Sequence, residues 1–100
     1  MKKQTLIKIL EDNGFDVDFG KDNFSISQYT PAGEDWFLSF TDADDLCDYA
    51  ENYDPEDDFT MWVEARRRDK SVPSVPELWK DQLWKQETLL KVKQEIEKKQ

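Results

Sequence analysis

The sequence predicts a small α+β domain: a three-stranded antiparallel sheet packed by helices, in the order α-β-β-β-α-α-α. Three observations carry that reading. Residues 15–40 alternate apolar and polar positions with a period of two, broken by turn residues, as short half-buried strands do. Residues 3–12 and everything after 41 instead repeat their apolar positions at helical spacing. A length of 100 residues matches one ordinary core, so residues 1–100 form a single domain.

The elements follow in order. Leu6, Ile9 and Leu10 fall on one helical face, and Gly14 sits where a left-handed cap closes a helix over 3–12. Phe15, Val17 and Phe19 alternate with Asp16 and Asp18 in a first strand. After the turn at Gly20–Asn23, Phe24 and Ile26 alternate with Ser25 and Ser27 in a second strand reaching about Thr30. Pro31-Ala32-Gly33 makes the next turn, and Trp36, Leu38 and Phe40 line one face of a third strand. Thr41 is the expected N-cap of the second helix, with Asp42, Asp44 and Asp45 in its first turn, where carboxylates favour the helix dipole. Leu46, Tyr49, Ala50 and Tyr53 form its apolar stripe, and Asp44, Asp45, Asp48 and Glu51 occupy the opposite arc.

Asp54-Pro55 restarts the chain as N-cap and first-turn proline. Phe59, Trp62 and Val63 then form a third helical stripe, continued by Arg66. Arg66-Arg67-Arg68 follows at the end, where positive charge is favoured. Val72 to Pro76 reads as a linker, and Ser74-Val75-Pro76-Glu77 has the spacing of a capping box opening a last helix over about 75–98. Its stripe drifts. Trp79, Leu83 and Leu90 lie together, Leu89, Val92 and Ile96 lie roughly a quarter-turn away, and Trp84 points to neither set.

Composition narrows the function. No apolar run approaches the ~20 residues that span a bilayer, and Met1-Lys2-Lys3 is not followed by a signal-like apolar segment, so a cytoplasmic protein is expected. The single cysteine, Cys47, fits a reducing compartment, and its acidic neighbours should raise its pKa. A net charge of −9 opposes direct contact with nucleic acid or an anionic membrane. That charge is uneven: residues 1–65 hold 17 acids and 4 bases, whereas residues 66–100 hold 6 acids and 10 bases. The basic run Arg66–Arg68 with Lys70 is short and lacks interleaved aromatics, so pairing with the acidic half suits it better than binding nucleic acid.

Catalytic chemistry is not expected. With no histidine and one cysteine, neither a Ser-His or Cys-His pair nor a zinc site can be built. Three glycines do not make a phosphate loop. Counting an EF-hand from Asp42 puts Cys47 at the glycine position and Tyr53 at the bidentate acid, which excludes that loop. Glu64-Ala65-Arg66 imitates a metal nuclease poorly. No cofactor is expected.

Binding features remain. Residues 42–58 hold nine Asp or Glu and no base. Helix N-termini explain about half of these, but an array of carboxylates can also imitate phosphates and occupy the basic groove of a nucleic-acid-binding protein. The candidate contact residues are Asp44, Asp45, Asp48, Glu51, Asp54, Glu56, Asp57 and Asp58, with Trp84 as an apolar anchor off the core stripe. The hairpin tip from Tyr29 to Trp36 is either a contact loop or a plain turn with Trp36 in the core. Leu89, Val92 and Ile96 would pair with a second copy in a homodimer or pack on the chain's own sheet.

Tyr29–Asp35, Asp54–Ala65 and Val72–Leu78 together resemble small acidic proteins encoded on phages and mobile elements of gut bacteria. The resemblance covers roughly residues 24–90 and brings no catalytic residue with it. It implies a counter-defence role of the anti-CRISPR or antirestriction type: a non-enzymatic, stoichiometric inhibitor of a nuclease or CRISPR effector subunit in the host cytoplasm. The mildly basic last helix departs from an all-acidic DNA mimic, so mimicry would come from one face. A helix-mediated accessory module of a mobile element is the alternative, and a metal-dependent hydrolase ranks third.

Overall fold

The computed structural model describes residues 1–69 and 74–99. Four helices and three strands follow in the expected order: α1 (Lys3–Asp12), β1 (Asp16–Phe19), β2 (Phe24–Tyr29), β3 (Asp35–Phe40), α2 (Ala43–Asn52), α3 (Pro55–Arg68) and α4 (Val75–Lys99). The strands form one antiparallel meander, β1-β2-β3, with Val17 opposite Ile26 and Ile26 opposite Leu38. No helix among the described residues is long and apolar enough to cross a membrane.

Local chemistry sets the boundaries. At the end of α1 the Phe15 N–H bonds Leu10 O and the Gly14 N–H bonds Glu11 O, closing the helix in a Schellman turn with Gly14 at φ 89°. Asn13 then donates to Ile9 O at 2.8 Å and to Glu95 Oε2 at 2.7 Å, tying this turn to α4. Asp42, not Thr41, caps α2: its Oδ1 accepts the Asp45 N–H at 2.8 Å. Thr41 lies one residue outside and donates its N–H and hydroxyl back to Asp45 Oδ2, because a carboxylate is the stronger acceptor. Asp54 caps α3 through the Glu56 N–H, with Pro55 in the first turn as expected. Ser74 opens α4 by donating its N–H to Glu77 Oε2 at 3.2 Å, one half of the capping box. The expected linker falls partly outside the described residues (Val72, Pro73), and Val75 and Pro76 already belong to α4.

The core lies between the inner face of the sheet (Phe24, Ile26, Trp36, Phe40) and α1, α2 and α4, which supply Leu6, Leu10, Leu46, Leu89, Val92 and Ile96. The inward face of α4 differs from the expected stripe. Leu78, Asp81, Gln82, Lys85, Leu89, Val92 and Ile96 are buried, at spacings of three and four. Leu83 and Leu90, grouped with Trp79 by the sequence, stand 39% and 42% exposed on the outer side. Polar residues at 81, 82 and 85 hid the true phase. The core of the chain itself takes Leu89, Val92 and Ile96. α3 buries no residue fully and lies against the first turns of α4, where Phe59 meets Trp79 edge-on with ring centroids 5.1 Å apart.

Candidate functional site

The acidic segment forms an exposed strip. Asp44, Asp48 and Glu51 recur at i, i+4 and i+7 along the outer side of α2, with Asp45 beside them. Glu56 and Asp57 continue the strip on the first turn of α3, after the exposed cap Asp54. Among the described residues, none of these seven carboxylates forms an ion pair with a base of the chain. The few hydrogen bonds they accept are local helix caps. Glu51 also feels the Lys93 ammonium of α4 without forming an ion pair with it, and the remaining charge of the strip faces solvent.

Asp58 does not belong to that strip. It is partly buried, accepts a hydrogen bond from Tyr53 OH at 3.1 Å, and lies 3.8 Å from the Lys85 ammonium. Trp84 also departs from the expectation. It packs half-buried against the core, edge-on to Trp36 at 5.6 Å, so it supports the sheet instead of standing free as an anchor. Position 84 flanks the true inward face of α4, which is why its stripe assignment failed. At the hairpin tip Tyr29 is exposed and Trp36 is core. The Cys47 thiol is pushed up, first by burial and then by Glu97, with Asp44 and Asp48 contributing less. Lys70, part of the expected basic cluster, lies outside the described residues.

A second constellation was not anticipated: a buried polar network joining the β2–β3 hairpin to α4. Asp81 accepts from Thr30 Oγ1 at 2.6 Å and from the Ala32 N–H at 3.1 Å, while Thr30 Oγ1 in turn accepts the Glu34 N–H at 2.9 Å. One helical turn on, the Lys85 ammonium bonds Glu34 Oε1 at 3.0 Å and lies 2.9 Å from Oε2. It also sits 5.7 Å from the centre of the Trp36 ring. Gln82 donates to Leu78 O within its own helix and presents Oε1 to Tyr53 OH at 3.1 Å. The one Tyr53 proton is thus shared between Asp58 and Gln82. Burial and the Asp58 charge raise the Tyr53 pKa, which keeps the phenol protonated. Desolvation likewise raises the Glu34 carboxyl, against the opposing pull of Lys85.

Within the network, donors and acceptors from elements far apart in the chain face one another, and Glu34 Oε2, 2.9 Å from the Lys85 ammonium, is a buried oxygen without a hydrogen bond. Among the described residues, no three His, Cys, Asp or Glu side chains converge as a metal site requires. A sequence signal for the network did exist: Asp81 and Lys85 share the phase of Leu78, Leu89, Val92 and Ile96, and charged residues at inward positions need buried partners. No protein-family model, curated protein or solved structure matches this chain.

Proposed function

We propose that this chain is a non-enzymatic, stoichiometric inhibitor that blocks a basic nucleic-acid-binding protein through the acidic strip of α2 and the start of α3. A defence nuclease or a CRISPR effector subunit in a bacterial cytoplasm is the class of target. The observation that carries the reading is that Asp44, Asp45, Asp48, Glu51, Asp54, Glu56 and Asp57 are all exposed and, among the described residues, form no ion pair with a base. A groove built to hold phosphates spends Lys and Arg on evenly spaced negative charge, and carboxylates along a helix compete for the same electrostatic attraction. The test is a pull-down from bacterial lysate with the native chain and with a bait whose seven acids are changed to Asn or Gln. Recovery of a nucleic-acid-binding protein by the native bait alone, released by salt, is expected. Equal recovery by both baits would remove the strip from the interface.

The outer side of α4 favours a second reading, a helix-mediated accessory module, because Leu83 and Leu90 stand exposed at i and i+7. Under that reading Leu83→Lys with Leu90→Lys abolishes complex formation and acid neutralisation does not.

A further inference from the structure

β3 is an edge strand, and its free side opens onto a groove of about 490 Å³ whose opposite wall is α3. The parity of the ladder identifies which backbone groups face that groove. Thr30 donates its N–H to Glu34 O at 2.9 Å, so Thr30 and Glu34 form a hydrogen-bonded pair. Bonded and non-bonded pairs alternate in an antiparallel ladder, so Trp36, Leu38 and Phe40 bond β2. The N–H and C=O groups of Asp35, Phe37 and Ser39 therefore point away from the sheet. The Gly20 N–H to Asn23 O bond gives β2 the same parity from its other side, with Ser25 and Ser27 turned toward β1. Among the described residues, no backbone hydrogen bond from another element covers this edge.

Exposed strand edges are normally blunted by lysine, proline, a bulge or a covering element. The run Asp35-Trp36-Phe37-Leu38-Ser39-Phe40 has neither proline nor lysine. Both rims of the groove are apolar and open: Phe37 on the strand is 62% exposed and Met61 on the helix 63%. Asp58, Met61, Trp62 and Ala65 line the helical wall at i, i+3, i+4 and i+7, one face of α3. The charge within the groove is one-sided. Among the described residues that line it, Glu34, Asp35 and Asp58 oppose a single ammonium, Lys85, which is only 2% exposed and already held by Glu34.

We infer that this groove binds an extended peptide segment of a partner protein by strand addition to β3, with a Lys or Arg of that segment directed at Glu34 and Asp58. The backbone of Asp35, Phe37 and Ser39 supplies the hydrogen bonds, and alternate apolar side chains of the guest fill the space between Phe37 and Met61. The net charge of −2 on the described residues that line the groove, from three carboxylates and one ammonium, selects a basic guest and rejects an acidic one. The inference does not rest on the acidic strip, because neutralising the seven acids of 44–57 leaves Glu34, Asp35 and Asp58 in place.

The experiment is selection of a displayed library of random decapeptides on the immobilised full chain, followed by fluorescence anisotropy with the enriched peptide. Enriched sequences are expected to alternate apolar residues and to carry Lys or Arg. Phe37→Pro removes an outward N–H without cutting the β2–β3 ladder, a position where edge strands accept proline. It is expected to bind roughly tenfold more weakly than Phe37→Ala, which removes the ring alone. Met61→Lys, on the exposed opposite wall, removes an apolar contact and repels a basic guest; it is expected to weaken binding by a similar factor and covers the case in which Phe37→Pro does not fold. Failure to enrich any peptide, equal affinity of the Pro and Ala variants, or unchanged binding by Met61→Lys would each overturn the inference. So would a concentration-dependent dimer in sedimentation that Phe37→Pro abolishes, because the guest would then be a second copy.

Discussion

Replacing Lys85 by Met tests the buried network at its centre. The substitution keeps a long side chain on α4 and removes only the ammonium, so the loss is electrostatic and not a cavity. Glu34 and Asp58 would then sit near each other with side-chain exposures of only 18% and 29% and no counterion. Removing one partner of a buried pair costs about 3–5 kcal/mol. Because solvent reaches both carboxylates in part, the low end applies, about 3 kcal/mol at neutral pH. For a chain of this length that corresponds to a fall in melting temperature of roughly 12–24 °C. Lys85→Met combined with Glu34→Gln should recover more than half of the loss, since most of the penalty is an uncompensated charge. The assay is urea unfolding followed by tryptophan fluorescence, to which Trp36 beside Lys85 reports directly. A single-variant cost below about 1 kcal/mol, or strictly additive losses in the double variant, would refute the view that this pair is electrostatically coupled in the fold.

Further outcomes follow from the same structure. Glu34 has a folded pKa above its ordinary 4.5, so the folded state holds the extra proton in the window above 4.5. Its contribution to stability is fully present below 4.5 and is lost as pH rises through the raised value. Native stability relative to Glu34→Gln should therefore decline from pH 4.5 upward in a pH series of urea midpoints, and a flat difference would contradict the assignment. Trp84→Ala should destabilise by about 2–4 kcal/mol in thermal unfolding, because the ring packs on Trp36 and the core; an unchanged melting point would return Trp84 to the surface. Gly14→Ala meets both a φ of 89° and Gln28 Oε1 at 2.7 Å from the new Cβ, whereas Gly33→Ala meets only a φ of 95°. Differential scanning calorimetry should show the first variant less stable than the second, with the second losing about 1–2 kcal/mol from backbone strain alone.

What could be read from the residues was local. Gly14 after an apolar stripe, Asp54 before Pro55, and Ser74 three residues before Glu77 each carry their own physical signal, and each element edge they mark is where the structure has it. The alternation of Phe24, Ile26, Trp36, Leu38 and Phe40 likewise reports the inner face of the sheet directly. Long-range pairing is another matter. Thr30 meets Asp81, and Glu34 meets Lys85, across 51 residues of chain in each case, and no period in the sequence links them. A stripe drawn through apolar residues alone passes over the buried Asp81, Gln82 and Lys85, which rotated the assigned face of α4 and left Trp84 outside the core. Asp58 was misplaced for the same reason: in a run of four acids between Asp54 and Asp58, nothing local separates the one that turns inward toward Tyr53 and Lys85.

On the proposed function, the strip from Asp44 to Asp57 occupies the surface that a partner uses for nucleic acid, so this chain should compete with the captured partner's own nucleic acid ligand. Measured at several salt concentrations, the two are expected to bind in a mutually exclusive way, with log Kd for the chain rising linearly with log salt and flattening when the seven acids are neutralised. A ternary complex of chain, partner and nucleic acid, with an affinity indifferent to salt, would contradict it.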